Sequence, residues 1–249
     1  MGITLYGTPP SPPSHSARLM LEHKGIDHKV VWLLPGMWPA LLRTHGFRGG
    51  TVPAIKIDGR RIQGSRAISR ALEEVQPEPP LFPSDPERRL QVEEAERWGD
   101  ETLQNVPRRI VRWLSVHRPE TRVMIAREVG IPLPRFAAWI NAPAARHLAN
   151  KVDADARVEE AIARVPEVLD HADELIAAGV IGGEEPNAAD FQIVTSLRAL
   201  LTIGDLRAVT EGRPAAALAI RFLPEFGIDL PPGLLPTEWL GGITASGRS

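Results

Sequence analysis

Apolar positions along the chain fall first into short alternating runs and then, past a proline-rich stretch, into rows spaced three and four apart. Two differently built halves are therefore expected. Ile3 to Tyr6 reads as a short strand, closed by the Pro/Ser-rich run from Thr8 to Ser14. From about Ser14 to Lys24, the residues Ala17, Met20, Leu21 and Lys24 follow helical spacing, and Gly25 supplies a stop. His28 to Leu34 is β-branched and apolar, a second strand. Between Pro35 and Gly50 the pattern allows a short helix around Trp38 to Leu42 and then irregular chain. Ala54 to Ile57 alternates as a strand, Asp58-Gly59 is a hairpin signal, and Arg60 to Gln63 returns antiparallel. Ser65 then reads as the N-cap of a helix whose apolar face carries Ile68, Ala71, Leu72 and Val75. The order strand, helix, strand, loop, strand, strand, helix is that of a thioredoxin-like domain, here residues 1–78.

The stretch from Pro77 to Pro86 holds too many prolines for regular structure, which places a linker at 79–86. Residues 87–223 read as all-helical. A long periodic segment runs from Glu87 to about Leu114, kinked or divided near Pro107. Arg135 to Val152 and Asp155 to Ala178 follow, with Pro143 and Pro166 inside them or at their ends. Asn187 opens a helix bearing Phe191, Val194, Leu197 and Leu201 on one side, and Arg213 to Leu223 is the last expected helix. A proline-rich tail spans 224–249, and its small, polar end is expected to be disordered. Asn187 and Asp190 stand at capping-box spacing, where each side chain satisfies a backbone donor of the first turn. Loss of Asp190 should cost about 1–2 kcal/mol, more if it is buried.

Composition narrows the chemistry. A length of 249 residues suits one or two domains with proper cores, and a net charge of −2 gives no reason to expect a nucleic acid or a membrane surface as partner. No apolar run reaches spanning length, and the start lacks a charged region followed by an apolar one, so a cytoplasmic protein is expected. Cysteine is absent, which removes disulfides, thiolate metal sites and a cysteine nucleophile. Any thiol chemistry needs a thiol carried by a ligand. The seven histidines show no metal-ligand spacing, and no metal is expected. Glu93, Glu94 and Glu96 look like a solvated helix face. No phosphate loop or dinucleotide fingerprint is present.

Three groups of residues carry a resemblance. They are Ser11 before the first helix, the pair Thr51-Val52-Pro53-Ala54-Ile55 and Gln63-Gly64-Ser65-Arg66-Ala67-Ile68, and the Asn187-Ala188-Ala189-Asp190 box. In this order and spacing the chain resembles the glutathione transferase family. The resemblance implies an α+β thioredoxin-like N-terminal domain with an all-α C-terminal helical-bundle domain, assembled as a homodimer. It implies glutathione as co-substrate and the conjugation of its thiol to a small electrophile. By the same resemblance Pro53 follows a cis peptide bond, and Val52 offers its N–H and C=O to the ligand. Ser65 binds the γ-glutamyl carboxylate, and Arg66 beside it can reinforce that contact. Trp98, Arg108, Arg109, Arg112 and Trp113 would lie on the helix that walls the electrophile pocket and packs at the dimer interface. The chain departs from the family at Gly64, where members usually carry Glu or Gln, and lacks the usual Asn-Pro before Thr51. One missing charge-assisted contact is worth about 1.5–3 kcal/mol.

In serine-type members of that family a hydroxyl at the position of Ser11 activates the thiol. A thiol of pKa about 8.5 is mostly protonated at neutral pH, and lowering it by about two units needs roughly 2.7 kcal/mol. One hydrogen bond to a charged acceptor supplies about 1.5–3 kcal/mol and a helix N-terminus about 0.3–1 more. A serine at a helix start is thus sufficient in principle. Ser14 is a rival, although it looks better as the helix cap; Tyr6, the only tyrosine, ranks third because it falls inside a strand. The competing reading of the chain is a ligand-binding or protein-interaction protein whose thiol site has decayed, or an enzyme that uses a different thiol.

Overall fold

A computed structural model of the chain describes residues 2–33 and 38–246. Leu34, the expected end of the second strand, and residues 247–249 of the tail lie outside the described residues. The chain divides into two compact units, Met1–Asp100 with Ala178–Thr195, and Glu101–Ala177 with Ser196–Ser249.

The first unit is built on four strands, β1 (Ile3–Gly7), β2 (Lys29–Trp32), β3 (Ala54–Ile57) and β4 (Arg60–Gln63), in the order β2-β1-β3-β4. β1 runs parallel to β2 and antiparallel to β3, and β3 pairs antiparallel with β4. This is the expected thioredoxin-like arrangement. Asp58 and Gly59 make the tight turn between β3 and β4 with positive φ angles of 45° and 94°. Helices α1 (Pro12–His23) and α3 (Ser65–Val75) pack on each other, α1 also against β1 and α3 against β4. Leu5 and Ile55 of the sheet, Met20 and Leu21 of α1, and Ile68 and Leu72 of α3 are fully buried. A short α2 (Trp38–Thr44) lies in the otherwise irregular stretch before β3.

Two helix starts differ from expectation. α1 begins at Pro12 with Ser11 as its cap residue, so Ser14 is not the cap and sits fully buried in the first turn. Pro12 and Pro13 looked like breakers, but proline fits a first helical turn, where its missing N–H costs nothing. α3 begins at Ser65 itself, and the cap position belongs to Gly64 with φ +91°. Ser65 is therefore the first helical residue, not the N-cap.

α4 (Pro86–Trp98) closes the first stretch of unit one, with Asp85 capping it through Arg88 N–H. The periodic run breaks after it, in a π-helical turn at Gly99–Leu103, and not at Pro107. Gly99 has a reason to stay small: a Cβ there would sit 2.9 Å from the Ile193 side chain. Pro107 instead lies in the first turn of α5 (Asn105–His117). In unit two α5 packs on α6 (Pro119–Glu128), α8 (Ala142–Asn150) and α9 (Ala154–Ala163), and α6 holds α7 (Pro134–Ile140). Pro143 and Pro166 fall at the starts of α8 and α10 (Val165–Ala177), so each expected long helix is a pair. α11 (Ala188–Leu201), α12 (Arg207–Thr210), α13 (Pro214–Phe222) and α14 (Thr237–Ser246) complete the chain. The tail is structured from 224 to 246. Asp205 accepts from the N–H groups of Gly233, Leu234 and Leu235, and Trp239 meets Trp113 edge-on at 5.0 Å.

Candidate functional site

The register of the sheet gathers three turns at one end. Tyr6 stands opposite Ala54, and Ala54 opposite Gln63, so the end of β1, the start of β3 and the end of β4 lie side by side. Thr8–Ser11, Thr51–Pro53 and Gly64–Arg66 therefore leave the sheet together. α1 and α3 both start there. Ile68 N–H closes the first helical bond of α3, to the Gly64 carbonyl at 3.0 Å, which leaves the preceding N–H groups outside the helical ladder. Two positive helix ends at one place form a physical basis for binding an anion or a thiolate.

The Val52–Pro53 peptide bond is cis, and the Pro53 carbonyl accepts from Gly64 N–H at 2.9 Å. That bond ties the second turn to the third. Gln63 ties it again, donating to the carbonyls of Gly49 (3.2 Å) and Thr51 (3.0 Å) and accepting from Gly49 N–H (2.9 Å). Gly49 is small for this reason, because a Cβ would lie 2.7 Å from the Gln63 amide oxygen. Ser65 is buried and Arg66 half-buried in the first turn of α3. A Cβ on Gly64 would meet nothing within 4 Å, so space does not forbid a side chain there. The backbone does, since φ +91° is a conformation that suits glycine.

Ser11 is half-buried and begins α1. Its N–H donates to Thr8 O (3.0 Å), and its carbonyl accepts from Ser14 N–H (3.0 Å) and His15 N–H (3.2 Å). Its hydroxyl makes no capping bond. Pro13, at the second helical position, has no N–H to offer, so the hydroxyl stays uncommitted to the helix. Ser14 is placed differently: its Oγ accepts from Thr8 N–H (3.4 Å), and its Cβ approaches Gly7 so closely that a Cβ there would lie 2.8 Å away. Ser14 packs the loop against the end of β1. Tyr6 is a buried strand residue, with its hydroxyl 3.4 Å from His45 Nδ1 and its ring against His45 and Phe47. The three turns thus bring together Ser11, Val52, Pro53, Gly64, Ser65 and Arg66.

Sequence reasoning missed His15 and Gln63, because both act on loops distant from their own elements. His15 Nε2 lies 2.6 Å from the Pro9 carbonyl, which can only accept, so Nε2 carries the proton. This contact holds the Thr8–Ser11 turn from below. Burial pushes the His15 pKa down to about 4, with Arg18 acting in the same direction and the Pro9 contact opposing. The neutral ring is therefore favoured by folding. Its contribution is whole above the ordinary 6.5, fades as pH falls toward about 4, and is gone below that. His23, lowered by burial and by Lys24, adds to the same acid limb. Urea unfolding at pH 7.5 and 4.5 is expected to show wild type losing about 2–3 kcal/mol more than His15→Gln over this interval. Equal losses would show that the ring does not titrate as a buried group.

The candidates on the helices after the linker, Glu96 and the capping box are placed as follows. Trp98 ends α4. Trp113 is buried and stacks on His117 at 4.6 Å, and Arg109 donates to the Val152 carbonyl. Burial, with Arg108 beside it, lowers the Arg112 guanidinium to about 10, still charged at neutral pH. Glu96 is not solvated. It is fully buried, accepts from Ser69 Oγ (2.8 Å) and Arg70, and burial pushes its carboxyl up. The capping box is formed: Asn187 Oδ1 accepts from Ala189 and Asp190 N–H, and Asp190 accepts from Asn187 and Gly182 N–H. Among the described residues no group of three or more His, Asp or Glu could hold a metal, and no helix is long and apolar enough to cross a membrane.

Residues 5–80 match the family model of the glutathione S-transferase N-terminal domain. A curated relative, a probable maleylacetoacetate isomerase 1 of Drosophila melanogaster, is 34% identical over 116 residues, 41% of this chain and 45% of that protein. The chain thus matches less than half the length of this relative. Among solved structures, FzlA from C. crescentus aligns at TM-score 0.59 and 21% identity, covering 97% of this chain and 99% of that one. A glutathione S-transferase from Rhodospirillum rubrum F11 aligns at 0.57 and 21% identity, covering 96% and 98%. At that identity the structural likeness shows the fold alone. Residues 5–80 are thus similar to the N-terminal domain of glutathione S-transferases.

Proposed function

We propose that the three turns at the sheet end bind glutathione and that the protein uses its thiol against a small electrophile. The observation that carries this reading is the Ser11 hydroxyl, uncommitted to the helix it begins, at the sheet end where the cis Val52–Pro53 turn and the start of α3 also emerge. In this reading Val52 clamps the cysteinyl backbone, Ser65 with Arg66 and the α3 N-terminus takes the γ-glutamyl carboxylate, and Ser11 O–H donates to the sulfur. The thiol proton leaves to solvent, the thiolate adds to an electrophilic carbon, and the electron pair moves onto the leaving group. Catalysis is then positioning and charge stabilisation, with no covalent enzyme intermediate. The isomerase name of the Drosophila relative fits the same first step. Addition of a thiolate to an activated double bond leaves a single bond free to rotate, and its expulsion returns the thiol. A homodimer is part of the reading.

Gly64 favours a second reading, in which a thiol ligand is bound without turnover. No side chain stands there to hold the charged end of glutathione, and the backbone at φ +91° suits none. Retention on glutathione resin and turnover of a chromogenic aryl halide separate the two. The first reading expects retention and turnover, with Ser11→Ala losing about ten- to a hundredfold in kcat/KM while still retained. Retention without turnover supports the second reading. A protein that neither stays on the resin nor turns over the halide contradicts both as glutathione-site accounts.

A further inference from the structure

The loop that leads into the cis Val52–Pro53 turn has little stiffness of its own. His45 to Gly50 holds three glycines in six residues, and glycine loses more freedom than any other residue when it is fixed. One point of the loop is anchored in the core: Phe47 is buried, and its N–H donates to the Leu42 carbonyl (3.0 Å). Side chains of β4, at the edge of the sheet, hold the backbone on either side of that point. Arg61 and Gln63 stand two residues apart and so share one face of the strand. Arg61 Nε donates to the His45 carbonyl (3.0 Å). The Gln63 amide donates to the carbonyls of Gly49 and Thr51 and accepts from Gly49 N–H, so both ends of the amide are engaged by the loop.

The loop is shaped to receive these two side chains. A Cβ on Gly46 would lie 2.9 Å from Arg61 Nε, and one on Gly49 would lie 2.7 Å from Gln63 Oε1. The next residue of the strand end continues the hold, since Gly64 N–H donates to the Pro53 carbonyl (2.9 Å). Val52 therefore lies between two bonds made by consecutive residues, one from Gln63 to the Thr51 carbonyl and one from Gly64 to the Pro53 carbonyl.

We propose that Gln63 is a positioning residue of the thiol site: by holding the loop through Gly49 and Thr51 it fixes Val52 before the ligand arrives, and so sets the affinity for the thiol without touching it. The inference rests on the reading of these turns as a glutathione site and adds a division of labour to it. A loop ordered in advance places its ordering cost on folding and not on binding. If only a fraction of the molecules held the competent loop, the apparent Kd would rise in inverse proportion to that fraction. Ser11 stands on a different turn, which His15 holds through the Pro9 carbonyl. Ionisation of the bound thiol belongs to that turn, and Gln63 governs binding alone.

Calorimetric titration of the full chain with glutathione tests this, together with the pH at which the bound thiol ionises and with amide exchange of the free protein. Gln63→Met keeps the length of the side chain and removes its hydrogen bonds. It is expected to raise Kd for glutathione about tenfold, while the bound thiol ionises at the wild-type pH. Gly49→Ala leaves Gln63 in place but displaces its amide, and should show the same split. In the free protein both variants should exchange the Gly49 amide proton about tenfold faster than wild type. A side chain that only added stability would lower the melting temperature and leave Kd of the folded protein unchanged. Kd equal to wild type in both variants, or a thiol ionisation that moves with Kd, overturns the proposal and leaves the glutathione reading standing. Wild type that does not bind glutathione overturns that reading and this one with it.

Discussion

Lys24→Met is expected to lower the unfolding free energy by about 3–5 kcal/mol, the largest loss from any single side chain discussed here. Lys24 caps the end of α1 and is buried, yet its three ammonium protons are all used. Nζ donates to Glu73 Oε2 (2.7 Å), to the Gln76 carbonyl at the end of α3 (2.6 Å) and to the Pro79 carbonyl (2.8 Å). A cation there also meets the negative end of the α3 dipole. Methionine matches the length of the side chain but supplies no donor, so a largely buried carboxylate and two carbonyls lose their partner together. Most of the cost is the stranded Glu73 charge, and the Lys24→Met/Glu73→Gln double variant should recover part of it. Urea unfolding of the four proteins measures the coupling. A single variant within about 1 kcal/mol of wild type would mean that water or another cation replaces the ammonium.

Asp190→Ala should cost about 3–4 kcal/mol, more than an ordinary cap, because the carboxylate is fully buried. Its oxygens accept from Gly182 N–H (2.6 Å) and Asn187 N–H (2.9 Å), and alanine removes the acceptor of both bonds. Asn187→Ala should cost only about 1–2 kcal/mol, the usual value of an N-cap side chain. The two large predictions are linked. Glu73, held by Lys24, accepts from Leu81 N–H, and the Leu81 carbonyl accepts from Ala188 N–H at the start of α11. One chain of hydrogen bonds thus runs from α1 through the linker to the capping box, so the Lys24→Met/Asp190→Ala double variant should lose less than the sum of the singles. Strict additivity in denaturant unfolding would show that the two anchors act independently.

What the sequence disclosed follows from which forces are local. The β3-β4 hairpin was legible to the residue, because alternation and the Asp58-Gly59 turn both act within a few positions. The capping box was legible for the same reason. Helix starts shift by one or two residues from expectation: Pro12 and Pro13 signal a break equally well outside a helix or in its first turn, and only the path of the chain decides. The division at Gly99 depends on Ile193, far along the sequence. Glu96 lies in a run with Glu93 and Glu94 that looks uniformly solvated, and its burial is made possible by Ser69 and Arg70 of another helix. The site was half legible. Its turns follow from motif spacing, whereas His15 and Gln63 brace those turns through backbone carbonyls that no side-chain pattern marks.

The central claim is that Ser11 stabilises a thiolate at the end of this sheet, and the ultraviolet absorbance of that thiolate reports it directly. Glutathione is titrated with pH in the presence of excess wild-type protein and of excess Ser11→Ala. With wild type the bound thiol should ionise about two units below the free value of about 8.5, and with Ser11→Ala the shift should shrink by about one to two units. A thiol that titrates at its free value in both proteins, or identically lowered in both, would contradict the role assigned to Ser11.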